Sequence, residues 1–493
     1  QDQTHFNLHG SVPEQSWAEL NTAADEANYH GLYDSALNIY ERAFEQAKLE
    51  FESDHPNYTL ALNNLGVSYF YSGMYDKSIP LFEQANEIKA RIYGKGSKQY
   101  ARGLTNLAGI YYTLGNHQEA LPLYREALGI YEQAGGRDAD FAYTLMEVGS
   151  VYRELGDYKQ AEAAFLESLK ITEATIGKEN ENYPTILSAA AAMYEILGDF
   201  SRAEVMYTEA MEIVKKTRGK EHPEYARLLN NLAILYDYLG NFERAKENYI
   251  EAIATLEATV GKDHPEYATQ LNNLGALYYA MKDTANALRL YRESTQIVER
   301  VLGKEHRDYT IRLINMGGIF SEMKQYEIAE KMFTEALSIR ERILGKEHID
   351  YAMALHVLGR LYIDVGEFAK AEQLLQQSLQ IRQKILGRQH PDYAMALREM
   401  ALLYTGSGDL KKAEEYFNLS NSQLIHQINS HFSTLSDKEK SAFYTERIGP
   451  QFEFFNSFVL LRMKENPDIT ATLYNNQLAT KALLFHTSNK IRQ

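Results

Sequence analysis

The chain reads as an all-α solenoid of about ten tandem helix pairs, closed by a C-terminal helical cap. Three observations predict this: a period of 42 residues, small and aromatic residues alternating at fixed places within it, and glycines where helices must stop. The stretch GKDHPEYATQLNNLG, Gly261 to Gly275, repeats GKEHPEYARLLNNLA, Gly219 to Ala233, and looser copies begin at Gly303, Gly345 and Gly387. Self-similarity at such a period is the mark of stacked supersecondary units, none of which can bury its apolar face alone.

The aromatic after the His-Pro-like dipeptide anchors each unit. Tyr58, Tyr100, Phe141, Tyr183, Tyr225, Tyr267, Tyr309, Tyr351 and Tyr393 follow at steps of 42, with one step of 41 into Phe141. The first helix of a unit starts near that dipeptide, because proline at N1 gives up an N–H that would be unpaired there anyway. Eight positions after the anchor stands a small residue, from Gly66 to Ala401, and three later an aromatic, from Tyr69 to Tyr404. The helix ends at Gly73, Gly115, Gly156, Gly198, Gly240, Gly366 or Gly408, as a left-handed C′ position requires. Lys282 and Lys324 hold that place in two units, where strain or another cap is expected. The second helix carries Ala120, Ala161, Ala203, Ala245, Ala287, Ala329, Ala371 and Ala413 at the close crossing, with Ser78 as the exception. Four residues on, a bulky side chain from Phe82 to Phe417 fills the groove. A less regular first unit, with Ala24, Gly31, Ala36 and Tyr40, completes the ten.

This small–aromatic–Ala–aromatic pattern resembles the tetratricopeptide repeat in the 42-residue form of kinesin light chains. The LNNL segments at Leu62, Leu229 and Leu271 strengthen the likeness. The resemblance implies a right-handed superhelix over residues 14–430, preceded by a tail of residues 1–13. It also implies that first helices line a concave surface, an open trough able to hold a protein or extended peptide.

Offsets of 2, 5, 6, 9, 12 and 13 from each anchor avoid the packed positions and point into that surface. They give a polar ladder: Asn63 and Asn64, Thr105 and Asn106, Asn230 and Asn231, Asn272 and Asn273, then Asn315. Asparagine offers both donor and acceptor, so a row of them can hold a peptide backbone whatever its sequence. The competing reading is that they cross-link neighbouring helices. Tyr112 joins the surface in its apolar and aromatic N-terminal part, Arg227 and Tyr279 in its middle, and His356, Arg360, Asp364 and Arg398 towards its C-terminal end. A partner with acidic groups near Arg360 and Arg398 is the expectation there.

Several chemistries are disfavoured. The net charge of −16 argues against nucleic acid, which needs a basic footprint; the basic run Lys215 to Lys220 reads as a helix terminus. With no cysteine there are no disulfides, thiolate metal sites or cysteine nucleophiles in these residues. No apolar run is long enough to span a membrane. His55, His222, His264, His306, His348 and His390 stand a whole repeat apart, too far to share a metal, and read as loop residues beside helix starts. The repeated Gly-Lys pairs lack the rest of a phosphate loop. No cofactor and no catalysis are expected. The opening at Gln1 is compatible with a cytoplasmic or an exported protein.

After Phe417 the period stops. Ser433 or Ser436 would cap one helix, a second runs through Gln451 to Met463, and a third starts at Asp468. The succession LSDKEKSAF, FEFFNSFVLL and LYNNQLATKALLFHTSNKIRQ resembles the region between repeats and protease in bacterial proteins of the TPR–CHAT type. That resemblance implies a recognition region whose caspase-like domain lies beyond the chain. The alternative is a structural or self-associating array whose groove takes no peptide.

Overall fold

The computed structural model describes residues 15–431, 440, 444 and 449–490. The tail of residues 1–13 and the caps expected at Ser433 and Ser436 lie outside them. Helices alternate along the chain in ten antiparallel pairs, and among the described residues there are no strands. The first five pairs are α1 (Trp17–Tyr29) with α2 (Tyr33–Glu50), α3 (Pro56–Tyr71) with α4 (Tyr75–Tyr93), α5 (Lys98–Thr113) with α6 (His117–Gly135), α7 (Ala139–Glu154) with α8 (Tyr158–Thr175), and α9 (Asn182–Ile196) with α10 (Phe200–Arg218). The next five are α11 (Pro223–Tyr238) with α12 (Phe242–Thr259), α13 (Pro265–Ala280) with α14 (Thr284–Leu302), α15 (Arg307–Glu322) with α16 (Tyr326–Leu344), α17 (Ile349–Val365) with α18 (Phe368–Leu386), and α19 (Pro391–Ser407) with α20 (Leu410–His431). Two more helices follow, α21 (Gly449–Arg462) and α22 (Ile469–Lys490).

The recurring motif supplies each boundary. In six units a histidine is the N-cap: Nδ1 of His55, His222, His264, His306, His348 and His390 accepts the backbone N–H two residues on, at 3.0–3.2 Å. These are therefore capping residues, a sharper role than loop neighbours. Lys282 and Lys324 do take the left-handed conformation, at φ 65° and 59°, where the other units place glycine. The Gly-Lys pairs also gain a reason. Gly303, which follows α14, sits at φ 76° and ψ 173°, a region essentially closed to residues with a Cβ.

Within a pair, small meets large. A Cβ added to Gly317 would lie 2.6 Å from the Phe333 ring, and one added to Gly149 would lie 2.9 Å from Phe165. Overpacking there costs about 1–3 kcal/mol, which keeps these positions small. Ser78, the exception among the alanines, is fully buried and donates to the Gly66 carbonyl at 2.7 Å. Between pairs, tyrosine hydroxyls reach the preceding unit: Tyr69 to Glu41, Tyr194 to Glu162 and Tyr236 to Glu204, all at 2.7 Å, and Tyr362 to Glu330 and Tyr404 to Glu372 at 2.5 Å. A buried tyrosine usually finds a partner for its hydroxyl. Five of the chain's 36 tyrosines serve in this ladder.

An open trough is not what forms. The superhelix comes round on itself, and its second turn touches the first. His306 Nε2 lies 3.2 Å from the Tyr71 carbonyl, and His390 Nε2 lies 2.9 Å from the Glu154 carbonyl, 235 and 236 residues apart. A Cβ on Gly31 would stand 2.7 Å from the His264 ring, and one on Gly115 would stand 3.3 Å from Ile349. The contacts recur in four successive units at one register. Leu344 packs across the same seam against a first-turn cluster that includes Leu107, Ile110 and Leu114, while Leu424 and Phe452 join a core that includes Tyr158 and Ile196. Beyond the repeats, Phe417 of α20 meets Phe455 and Phe458 of α21, with ring centroids 5.8 and 4.9 Å apart.

Candidate functional site: the concave surface

First helices, from α1 to α19, present the predicted polar positions. Their carboxamides form a directed relay. Asn315 donates to Asn272 (2.9 Å), Asn272 to Asn273 (3.3 Å), Asn273 to Asn230 (2.8 Å), Asn230 to Asn231 (3.3 Å) and Asn231 to Ser188 (3.0 Å). Five hydrogen bonds thus link α15, α13, α11 and α9. Asn64 makes the same cross-link to Asn21 at 2.7 Å. Asn63 turns inward to the Thr59 carbonyl at 2.6 Å and is buried, whereas Asn106 is exposed. The relay uses one N–H of each amide and at most one lone pair, Asn315 giving only its N–H, which leaves a second donor and a spare lone pair on every one. Cross-linking and ligand binding therefore do not exclude each other.

Beside the relay, α7, α9, α11 and α13 surround a recess of about 740 Å³. Tyr112, Arg153, Arg227, Glu147, Glu266 and Gln270 are among its walls. Arg153 donates to the Tyr112 hydroxyl at 3.1 Å and pairs with Glu154 at 2.8 Å. Burial pushes that hydroxyl up to about 12, against the pull of Arg153. Arg227 is largely exposed and stands 3.7 Å from Glu224. Burial likewise raises the Glu147 and Glu266 carboxyls above the usual range. Further along, burial and a hydrogen bond to Glu322 push the Tyr279 hydroxyl up.

At the C-terminal end the arginines are already engaged. Arg360 Nη1 lies 3.1 Å from one oxygen of Glu399, and Arg398 Nη2 lies 3.0 Å from the other. Arg360 also stands 3.9 Å from Asp364, and Arg398 lies over the Phe454 ring at 4.7 Å. Glu399 is 1% exposed. Burial opposes its charge, but the charges of His356, when that ring is protonated, and of Arg360 and Arg398 outweigh it and hold the carboxyl low. Burial pushes His356 down to about 4, which leaves its imidazole neutral at pH 7. The acidic partner expected here meets an internal carboxylate in its place. Glu399 was legible: it stands six positions after its anchor, where other units put Asn64, Asn231, Asn273 and Asn315, and Glu147 holds the same place in its own unit.

Reckoning histidine separations along the array alone leaves out the seam. His117 lies near enough to His348 and His390, which come from the next turn, for both to depress it, after burial. Among the described residues no group of three or more His, Asp or Glu is placed to hold a metal ion. No helix among them is long and apolar enough to cross a membrane.

The family pattern described as "Tetratricopeptide repeat" matches residues 18–90, 59–133, 140–216, 206–258, 238–300, 266–342, 309–384 and 358–420. No curated protein matches the chain. Among solved structures, BtubC (BKLC) from P. vanneervenii is 24% identical at a TM-score of 0.39, covering 46% of this chain and 92% of its own. Repeats of a putative kinesin light chain from Podospora anserina are 24% identical at a TM-score of 0.36, covering 41% and 96%. A Rap protein complexed with Competence and Sporulation Factor is 13% identical at a TM-score of 0.48, covering 75% and 98%. Matches that run from residue 18 to residue 420 with a gap only at 134–139, over an unbroken run of paired helices, make the chain a member of the tetratricopeptide repeat family.

Proposed function

We propose that the concave surface is a binding scaffold for an extended peptide or protein segment. The observation that carries this reading is the carboxamide relay from Asn315 to Ser188, whose spare donors and acceptors line the surface beside an open recess. Backbone amides of an extended segment have the complementary donors and acceptors, so such a row supports affinity without demanding a sequence. Asn230, Asn231, Asn272, Asn273 and Asn315 carry the backbone contacts in this reading, with Tyr112, Tyr279 and Arg227 beside them. Asn63, Asn64 and Asn106 extend the surface towards the N-terminal end, and His356, Arg360 and Arg398 towards the other. Alanine at Asn230, Asn272 and Arg360 together lowers partner affinity measured by calorimetry; unchanged affinity overturns the reading. On the resemblance of residues 431–493, the array is the recognition region of a caspase-like protease. The gene's continuation past Gln493 tests this, through the presence or absence of a His–Cys pair. A second reading, a structural array with no peptide ligand, is favoured by the seam, since His306 and His390 bond from one turn of the array to the other.

A further inference from the structure

The recess between α7 and α13 has a polarity of its own. Its two arginines are turned to other partners: Arg153 to Glu154 and Tyr112, and Arg227 towards Glu224, which the Arg218 guanidinium also contacts. Glu266 makes no ion pair within 4 Å among the described residues, and Arg227 is the only charge that stabilises its carboxylate. Glu147 is helped by the hydroxyls of Tyr143 and of Tyr124, the latter at 3.5 Å, and by the Arg153 charge, yet burial still outweighs them. Independently of these carboxylates, Gln270 is 4% exposed, lines the same recess, and its Oε1 has no hydrogen-bond partner. A buried acceptor left unmet costs roughly 1–3 kcal/mol, so this oxygen favours an incoming donor.

We propose that the recess takes a guanidinium or ammonium group carried by an extended peptide, with Glu266 as its counter-charge, Gln270 Oε1 as its acceptor, and Glu147 in the same lining. This rests on the groove reading above and reverses the charge first expected of the partner. The partner's cationic residue docks in the middle of the array, and its backbone continues along the relay through Asn230 and Asn273. Guanidinium is favoured over ammonium, because its planar fork can donate to a carboxylate and an amide oxygen at once. Carboxylates already at hand and partly desolvated also make the contact stronger than one on the open surface.

The test is a positional-scanning array of nonapeptides, one position fixed at a time, probed with the full chain. The expected result is enrichment of Arg, and more weakly of Lys, at one position. Glu266→Gln lowers that enriched signal by about tenfold, the scale of one hydrogen bond to a charged group, while neutral peptides bind as before. Gln270→Leu does the same in part, and Glu147→Gln serves should Gln270→Leu fail to fold, as judged by its thermal transition. Binding without preference for a cation, or a preference that Glu266→Gln leaves unmoved, overturns the inference alone. No binding of any peptide overturns the groove reading beneath it.

Discussion

The six histidine caps divide into two groups that share a sequence and differ in surroundings. His55 and His222 cap helices with no earlier turn of the superhelix against them. His264, His306, His348 and His390 cap helices that lie against the loops joining the two helices of each first-turn pair. Every one uses Nδ1 as the cap acceptor, which leaves the proton on Nε2. In His306 and His390 that proton points to a carbonyl of the facing turn, which makes one imidazole a cap and a cross-turn donor together. The difference teaches that a cap shared by all six is put to a second use where the seam lies against it. Ser97 and Asp138 cap equally well at helix starts that meet no earlier turn.

The widest gap between the two regions is expected at their glycines. Gly31 and Gly240 both sit at positive φ, 72° and 69°, so alanine strains either by roughly 1–2 kcal/mol. Only at Gly31 does the new Cβ meet the His264 ring; around Gly240 there is open space. Gly31→Ala is therefore expected to cost about 1–3 kcal/mol more than Gly240→Ala, measured by urea unfolding. Equal losses would mean that the seam contributes nothing there.

A smaller contrast follows from exchanging the cap. Serine keeps the N-cap hydrogen bond but cannot reach across the seam. His390→Ser is expected to lose about 1 kcal/mol, one hydrogen bond, while His222→Ser stays within about 0.5 kcal/mol of the native chain. Protonation cuts across the two groups, since burial depresses His222 too. Burial depresses His264, His306 and His348 below the ordinary histidine value. The unfolded chain therefore binds protons first, and stability that is complete above about 6.5 is lost as the pH falls towards the lowered folded values. The thermal transition should fall on acidification through that window, less steeply in a chain carrying serine at all three. A wild-type transition unchanged between pH 7 and pH 5 contradicts this.

Much of the fold was legible because each repeat writes its own boundaries and packing pairs: His-Pro at one end, Gly at the other, Gly317 under Phe333. The Asn ladder was legible for the same reason, as a periodic offset. The seam was not, since it joins residues 235 apart and depends on how far each pair rotates against the next, a small angle that no local pattern encodes. The engagement of Arg360 and Arg398 was missed differently. Glu399 stood at a flagged offset, but only packing shows that α17 and α19 bring both arginines to one carboxylate.

The winding itself can be tested most directly by cross-linking. The chain has no cysteine, so Met74→Cys with Glu305→Cys supplies a single thiol pair across the seam. Glu305 lies beside the first-turn loop, with its carbonyl 3.6 Å from the Cβ position of Gly73, and Met74 follows that glycine. A short bismaleimide is expected to join the two within one chain, in dilute solution and at neutral pH, and to do so more slowly after His306→Ser. Failure to cross-link in the folded double-cysteine chain would contradict a superhelix whose second turn rests on its first.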